Sequence, residues 1–144
     1  MAEQDSAVGR LGPPASVGTA AERAYEEALE RYDDCSDDER ERVETRVATL
    51  FEVLERTHAM AVCAAFAFAD GPLRFSDLEA RLDVAPSTLS ARLTELTDAG
   101  LLERTAHDEV PPRVEYEPTE TARALFPAVA HFYRWASDYE LNGA

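Results

Sequence analysis

The 144-residue chain holds few residues of the kind that do covalent or metal chemistry, and those few are scattered. His58, His107 and His131 form no HExxH pair and no other ligand-like spacing. Cys35 and Cys63 are too few for a disulfide framework or a zinc site. Cys63 sits in an apolar run and reads as a small buried hydrophobe, whereas Cys35 lies in an acidic run that disfavours a thiolate. No Gly-rich phosphate loop, nucleophile elbow or paired-carboxylate arrangement stands out from the dense acidic background. An enzyme is therefore not expected, and neither is a catalytic residue, a metal or a cofactor. What remains is a set of hydroxyls and guanidinium groups between residues 74 and 113. Ser76, Ser87, Thr88 and Thr94 offer hydrogen bonds suited to base edges or phosphates, and Ala91 suits a thymine methyl. Arg74, Arg92, Arg104 and Arg113 are placed to neutralise phosphates.

These residues need a scaffold, and hydrophobic periodicity supplies one. Residues 1–17 contain Gly9, Gly12, Pro13 and Pro14 and predict a loose tail. From Thr19, Tyr25, Leu29 and Tyr32 recur at helical spacing. Ser36 with Glu39 is a capping box for a second helix, which carries Val43, Val47, Leu50, Phe51 and Leu54 on one stripe. Thr57 is the expected cap of a third, almost wholly apolar helix to Ala69, ended by Asp70-Gly71-Pro72. Ser76 is the expected cap of a short helix burying Leu78 and Leu82. Pro86 suits the first turn of the next helix, Leu89, Leu93 and Leu96 form its inward stripe, and Gly100 suits its end. Residues 101–105 and 114–117 read as two strands joined by a polar loop with Pro111-Pro112. Thr119 caps a last helix, which Pro127 is expected to bend.

Helix, short helix, tight turn, helix and hairpin make a winged helix-turn-helix, mainly α with a small β-wing. In such a motif the second helix enters the major groove of DNA. With the Leu stripe inward, Ser87, Ala91, Thr94 and Asp98 face outward, flanked by Thr88 and Arg92. Internal ion pairs compete for the wing cations, with Glu115 beside Arg113 and Glu103 beside Arg104.

The charge balance is unusual for that fold. Twenty-nine acids oppose 14 basic residues, a net charge of −15, and all of the basic residues are Arg. Residues 72–114 alone carry eight acids and five Arg, a net −3. An ordinary DNA-binding face is positive. An acidic, Lys-free chain suits a concentrated-salt cytoplasm, where charges are screened within about 3 Å at 1 M. There counterion release adds little, and binding rests on shape, hydrogen bonds and apolar contacts. The reading is a halophilic, archaeal protein of the cytoplasm. No apolar run reaches membrane-spanning length and residues 1–11 lack an apolar signal core, so no membrane association is expected.

The stretches DGPLRFSDLEARL at 70–82, LSARLTELTDAGLLERT at 89–105 and EVPPRVEYEPTETARAL at 109–125 resemble the HxlR-type winged helix-turn-helix regulators of the MarR-like superfamily. PPRVEY followed by a Thr-capped helix is the most diagnostic part. The resemblance covers about residues 58–126. It implies a homodimer paired through terminal helices that binds double-stranded DNA and represses or activates transcription. The N-terminal third departs from the family, since Met60 stands where it has Trp, Val47 near where it often has a redox Cys, and the acidic helix at 19–32 lies outside its usual length.

The terminal helices carry more aromatic surface than so small a domain covers alone. Tyr25, Leu29, Phe126, Val129, Phe132, Tyr133, Trp135 and Tyr139 are therefore assigned to a dimer interface, for which a palindromic site is the natural target. The division is a tail (1–17), acidic N-terminal helices (18–57), a DNA-binding domain (58–118) and a C-terminal dimerisation helix (119–144). No pattern singles out a small-molecule or redox effector. The competing reading is a winged-helix protein-interaction module that does not bind DNA.

Overall fold

The structure, a computed structural model, describes residues 19–143. The tail expected over 1–17 lies outside them. Six helices and three strands follow in the order α1 (Thr19–Asp34), α2 (Asp37–Leu54), α3 (Ala59–Ala67), β1 (Leu73–Arg74), α4 (Phe75–Arg81), α5 (Pro86–Asp98), β2 (Leu102–His107), β3 (Arg113–Pro118) and α6 (Glu120–Asp138). The chain divides into two compact units, one ending at Val47 and one starting at Ala48.

In the first unit the capping box forms as its spacing requires. The Ser36 amide donates to Glu39 Oε2 at 2.8 Å, and the Glu39 amide donates to Ser36 Oγ at 3.3 Å. Two orphan donors at the start of α2 are thereby satisfied. The Ser36 amide, and after it the Ser36 hydroxyl at 3.1 Å, donate to the Glu39 carboxylate, favour its ionised form and hold its pKa below the ordinary value. The α1–α2 corner is closed by Tyr32, whose hydroxyl donates to Glu44 Oε1 at 2.8 Å. The bond to Glu44 raises the Tyr32 pKa. The Arg40 guanidinium stacks over the Tyr32 ring at 5.3 Å and donates to the carbonyls of Tyr32 and Asp33.

In the second unit the core gathers Leu54, Val62, Cys63, Phe66, Leu73 and Leu78 with Leu89, Leu93, Leu96, Leu101, Leu102 and Ala122. The inward Leu stripe of α5 is completely buried. Pro86 opens that helix, and Gly100 leaves it with a φ of +79°, the left-handed conformation that glycine adopts without strain. A void of only about 10 Å³ remains between Cys63, Phe66, Leu96 and Val129. That is at the lower limit for a single water, so this part of the core is filled by side chains.

Several local expectations change in three dimensions. The second-helix stripe does not bury as a unit. Leu50, Val53 and Leu54 pack the core while Val47 and Phe51 stay exposed, because the face presented inward is the 50/53/54 face. The cap of α3 is His58, not Thr57. His58 holds a φ of +67°, a left-handed conformation costly for a side chain with a Cβ, and makes no side-chain cap bond. That helix ends at Ala67 instead of Ala69. The cap of α4 is Arg74, not Ser76, because Leu73 and Arg74 are drawn into a strand and the helix starts at Phe75. The Arg74 amide donates to Asp77 Oδ2 at 2.9 Å, the half of a capping box in which the N3 carboxylate reaches back to the N-cap amide. The hairpin gains a third strand, and the antiparallel sheet runs β1-β3-β2. Each hairpin strand is also longer than expected, reaching His107 and starting at Arg113.

Candidate nucleic-acid interface

The helix-turn-helix is α4, the turn at residues 82–85, and α5. Burying Leu89, Leu93 and Leu96 fixes the rotation of α5, so its other side must face solvent. Ser87, Ser90 and Thr94 are exposed there, while Thr88 and Ala91 are half-buried. Ser90 was not among the expected contacts, although a hydroxyl three residues after Ser87 is the signal that marks it. The Thr94 hydroxyl donates to the Ser90 carbonyl at 3.0 Å, which leaves its lone pairs as acceptors. Ser76 is exposed in the first turn of α4.

Arg92 departs from its expected placement. Its side chain is only 13% exposed, and its Nε lies 3.3 Å from Glu95 Oε2, one turn along the helix. It is folded against its own helix and does not reach into the space in front of α5.

Register decides how the wing presents its cations. Leu73, Tyr116 and Arg104 share one cross-strand row, and Arg74, Glu115 and Thr105 share the next. Successive residues of a strand point to opposite faces. Leu73 and Tyr116 pack on the core, so Arg104 belongs to that face and stands at its exposed outer end. Arg74 and Arg113 belong to the other face, on either side of Glu115. The three Arg, each expected to neutralise a phosphate, are thus split between two faces.

Arg113 is also engaged internally. Its Nε lies 3.2 Å from Glu115 Oε1 and its Nη2 lies 3.2 Å from Glu109 Oε1. Glu115 meets His107 as well, at 3.4 Å. The Glu115 pair is the one foreseen from sequence. Glu109 was missed, because only the folded loop brings it back over Arg113. No ion pair holds Arg74 or Arg104 among the described residues.

The residues assigned to an interface differ in exposure. Val129 is 1% exposed and belongs to its own core, so it is unavailable to a partner chain. It lines the same small void as Cys63 and Phe66 of α3. Phe126 is half-buried against the same core. Phe132, Tyr133, Trp135 and Tyr139 are exposed, Tyr133 meets Phe68 edge-on at 5.8 Å, and Trp135 stacks on Tyr139 at 5.7 Å. Tyr25 and Leu29 are exposed on α1 in the first unit.

Among the described residues, no group of three or more His, Cys, Asp or Glu is placed to hold a metal ion. No described helix is long and apolar enough to cross a membrane. Burial pushes the Cys63 thiol up to about 11, which keeps it protonated and unreactive near neutral pH.

Residues 54–143, more than half of the chain, match the HxlR-like helix-turn-helix family. The chain belongs to that family. An HTH-type transcriptional regulator of Methanothermobacter thermautotrophicus is 38% identical to it over 71 residues, covering 49% of this chain and 54% of the relative. The chain thus spans about half the length of that relative. The HTH-type transcriptional regulator YvaP of Bacillus subtilis is 36% identical over 75 residues, covering 51% and 69% of the two chains. Among solved structures, the reduced form of the transcriptional regulator YodB from B. subtilis aligns with a TM-score of 0.58 at 26% identity, covering 69% of this chain and 96% of that one. The winged helix-turn-helix of this HxlR-like chain is accordingly of the MarR type.

Proposed function

We propose that this HxlR-like chain is a non-enzymatic, DNA-binding transcriptional regulator. The observation that carries the reading is the exposed face of α5. A completely buried Leu stripe fixes that helix so that Ser87, Thr88, Ser90, Ala91 and Thr94 are presented beside a β-wing. In a helix-turn-helix this helix lies in the major groove, with its N-terminal residues on base edges. Ser76 and Arg74 at the start of α4, and Arg104 and Arg113 on the wing, supply contacts to the DNA backbone. The relatives named above as transcriptional regulators support the same reading.

The finer reading is a homodimer. The exposed aromatic residues of α6, together with Tyr25 and Leu29, supply the interface, and two-fold pairing matches a palindromic site with half-sites about one helical turn apart. The protein works in the cytoplasm of a halophilic archaeon, where a net charge of −15 is screened. No membrane takes part.

The test is retention of duplex DNA by the full chain in molar salt, using genomic fragments and random-sequence duplex. Thr88→Ala and Ala91→Glu should weaken binding to the selected fragments by about 1–3 kcal/mol more than to random duplex. Arg104→Ala, a phosphate contact, should weaken both by similar factors. Capture of protein partners alone, with no duplex retained, would favour the protein-interaction module instead.

A further inference from the structure

Arg113 is the principal positive charge of the wing tip, and two carboxylates already occupy it. Glu115 takes Nε and Glu109 takes Nη2, each at 3.2 Å. The two acids are held very differently. Glu115 is 22% exposed, sits on the same strand two residues along, and has His107 Nε2 3.4 Å from its other oxygen. Register places His107 directly opposite Arg113 in the antiparallel ladder, so this neighbour is set by the sheet itself. Glu109 is 53% exposed and lies in the loop, tied down by its amide donating to the His107 carbonyl at 2.9 Å. Residues 107–115 carry three acids and one Arg, a net −2 with neutral His107. A phosphate approaching Arg113 therefore meets repulsion before it meets the guanidinium.

We propose that Glu109 and Glu115 form an internal clamp on Arg113, and that the wing engages duplex DNA by exchanging Glu109 for a phosphate. The inference rests on the DNA-binding reading above and assigns a regulatory contact within the same site. Glu115 is the positioning residue, because a half-buried carboxylate on the same strand keeps Nε in place. Glu109 is the competitor, because an exposed pair is weak and screened by salt. A guanidinium has five N–H donors, so Arg113 can hold Glu115 through Nε and turn its outer nitrogens to a phosphate. The Nε of Arg113 is shielded from solvent and lies against Glu115 as an ion pair rather than a well-directed hydrogen bond. Glu109, the exposed partner on Nη2, is the member of the clamp that exchanges.

The experiment measures duplex DNA affinity of the full chain at one fixed salt concentration. Glu109→Gln should tighten binding about three- to fivefold, the range of an exposed ion pair. In an Arg113→Ala background that gain should vanish. Asp108→Asn, which removes the same charge one residue away without touching Arg113, should give a clearly smaller gain. Wild-type binding with no gain in Glu109→Gln overturns the clamp and leaves the DNA-binding reading intact. A gain that persists without Arg113, or that Asp108→Asn reproduces, also overturns it, because bulk charge alone would then explain the effect. Failure of both wild type and Glu109→Gln to bind duplex DNA overturns the DNA-binding reading, and the clamp with it.

Discussion

The Thr119 hydroxyl donates to the Gly100 carbonyl at 2.7 Å and accepts from the Ala122 amide at 3.2 Å. One side chain thus joins the left-handed exit of α5 to the start of α6, and the Thr119 amide adds a bond to the Leu101 carbonyl at 3.1 Å. Thr119→Ala should cost about 1–2 kcal/mol in denaturant unfolding, while Thr119→Ser should recover most of it. Gly100→Ala should cost about 1–2 kcal/mol as well. A Cβ at Gly100 meets nothing within 4 Å, so the whole penalty would come from its φ of +79°. An unchanged unfolding midpoint in either variant would remove this junction from the account of stability.

Cys63 and Cys35 should separate under a thiol reagent. Cys63 is buried, with its pKa raised to about 11 by desolvation, whereas Cys35 is half-exposed and donates to the Arg31 carbonyl at 3.0 Å. Near neutral pH the native protein should release the reagent's chromophore from one thiol, and the denatured protein from two. Two fast thiols in the native state would contradict the packing around Cys63.

The Ser36–Glu39 capping box predicts a pH dependence with a definite sign. The folded pKa of Glu39 is depressed below its ordinary 4.5, so its stabilisation is complete above that value and is lost as pH falls through the lower, folded value. The Glu39 carboxyl, followed by NMR, should titrate below 4.5, and Ser36→Ala, which removes the hydroxyl donor but keeps the stronger amide donor, should return it only part of the way. A Glu39 midpoint at or above 4.5 in the wild type would show that the box does not persist in solution.

Phe132 and Val129 share α6 and should respond differently to substitution. Phe132 is 46% exposed, so Phe132→Glu should leave the fold intact. Under the dimer proposal it should shift light-scattering mass from about twice 15.9 kDa toward the single-chain value in molar salt. Val129→Ala should instead cost roughly 1–3 kcal/mol of stability without acting on assembly directly, because it opens a cavity in the core. A wild-type monomer would remove the palindromic-site argument together with the dimer.

The sequence alone determined most features whose cause is local, the ends of α3 being the exception. Leu89, Leu93 and Leu96 recur at the period of a helix, so their common face follows from spacing. Pro86, Gly100, Thr119 and the Ser36–Glu39 pair act on backbone groups within four residues of themselves, and each stands where its chemistry predicts. Tertiary structure decided what depends on distant partners. The two-residue β1 is a strand only because β3 pairs with it, and that pairing moved the α4 cap from Ser76 to Arg74. Register put Arg104 and Arg113 on opposite faces, since a shift of one residue exchanges the two sides of a strand. Loop closure brought Glu109 back onto Arg113. Packing on α3 claimed Val129 for the core while Phe132, three residues further along α6, stayed exposed. Spacing names the residues that share a face, but only the neighbouring elements settle which of them are covered and which cations are already paired.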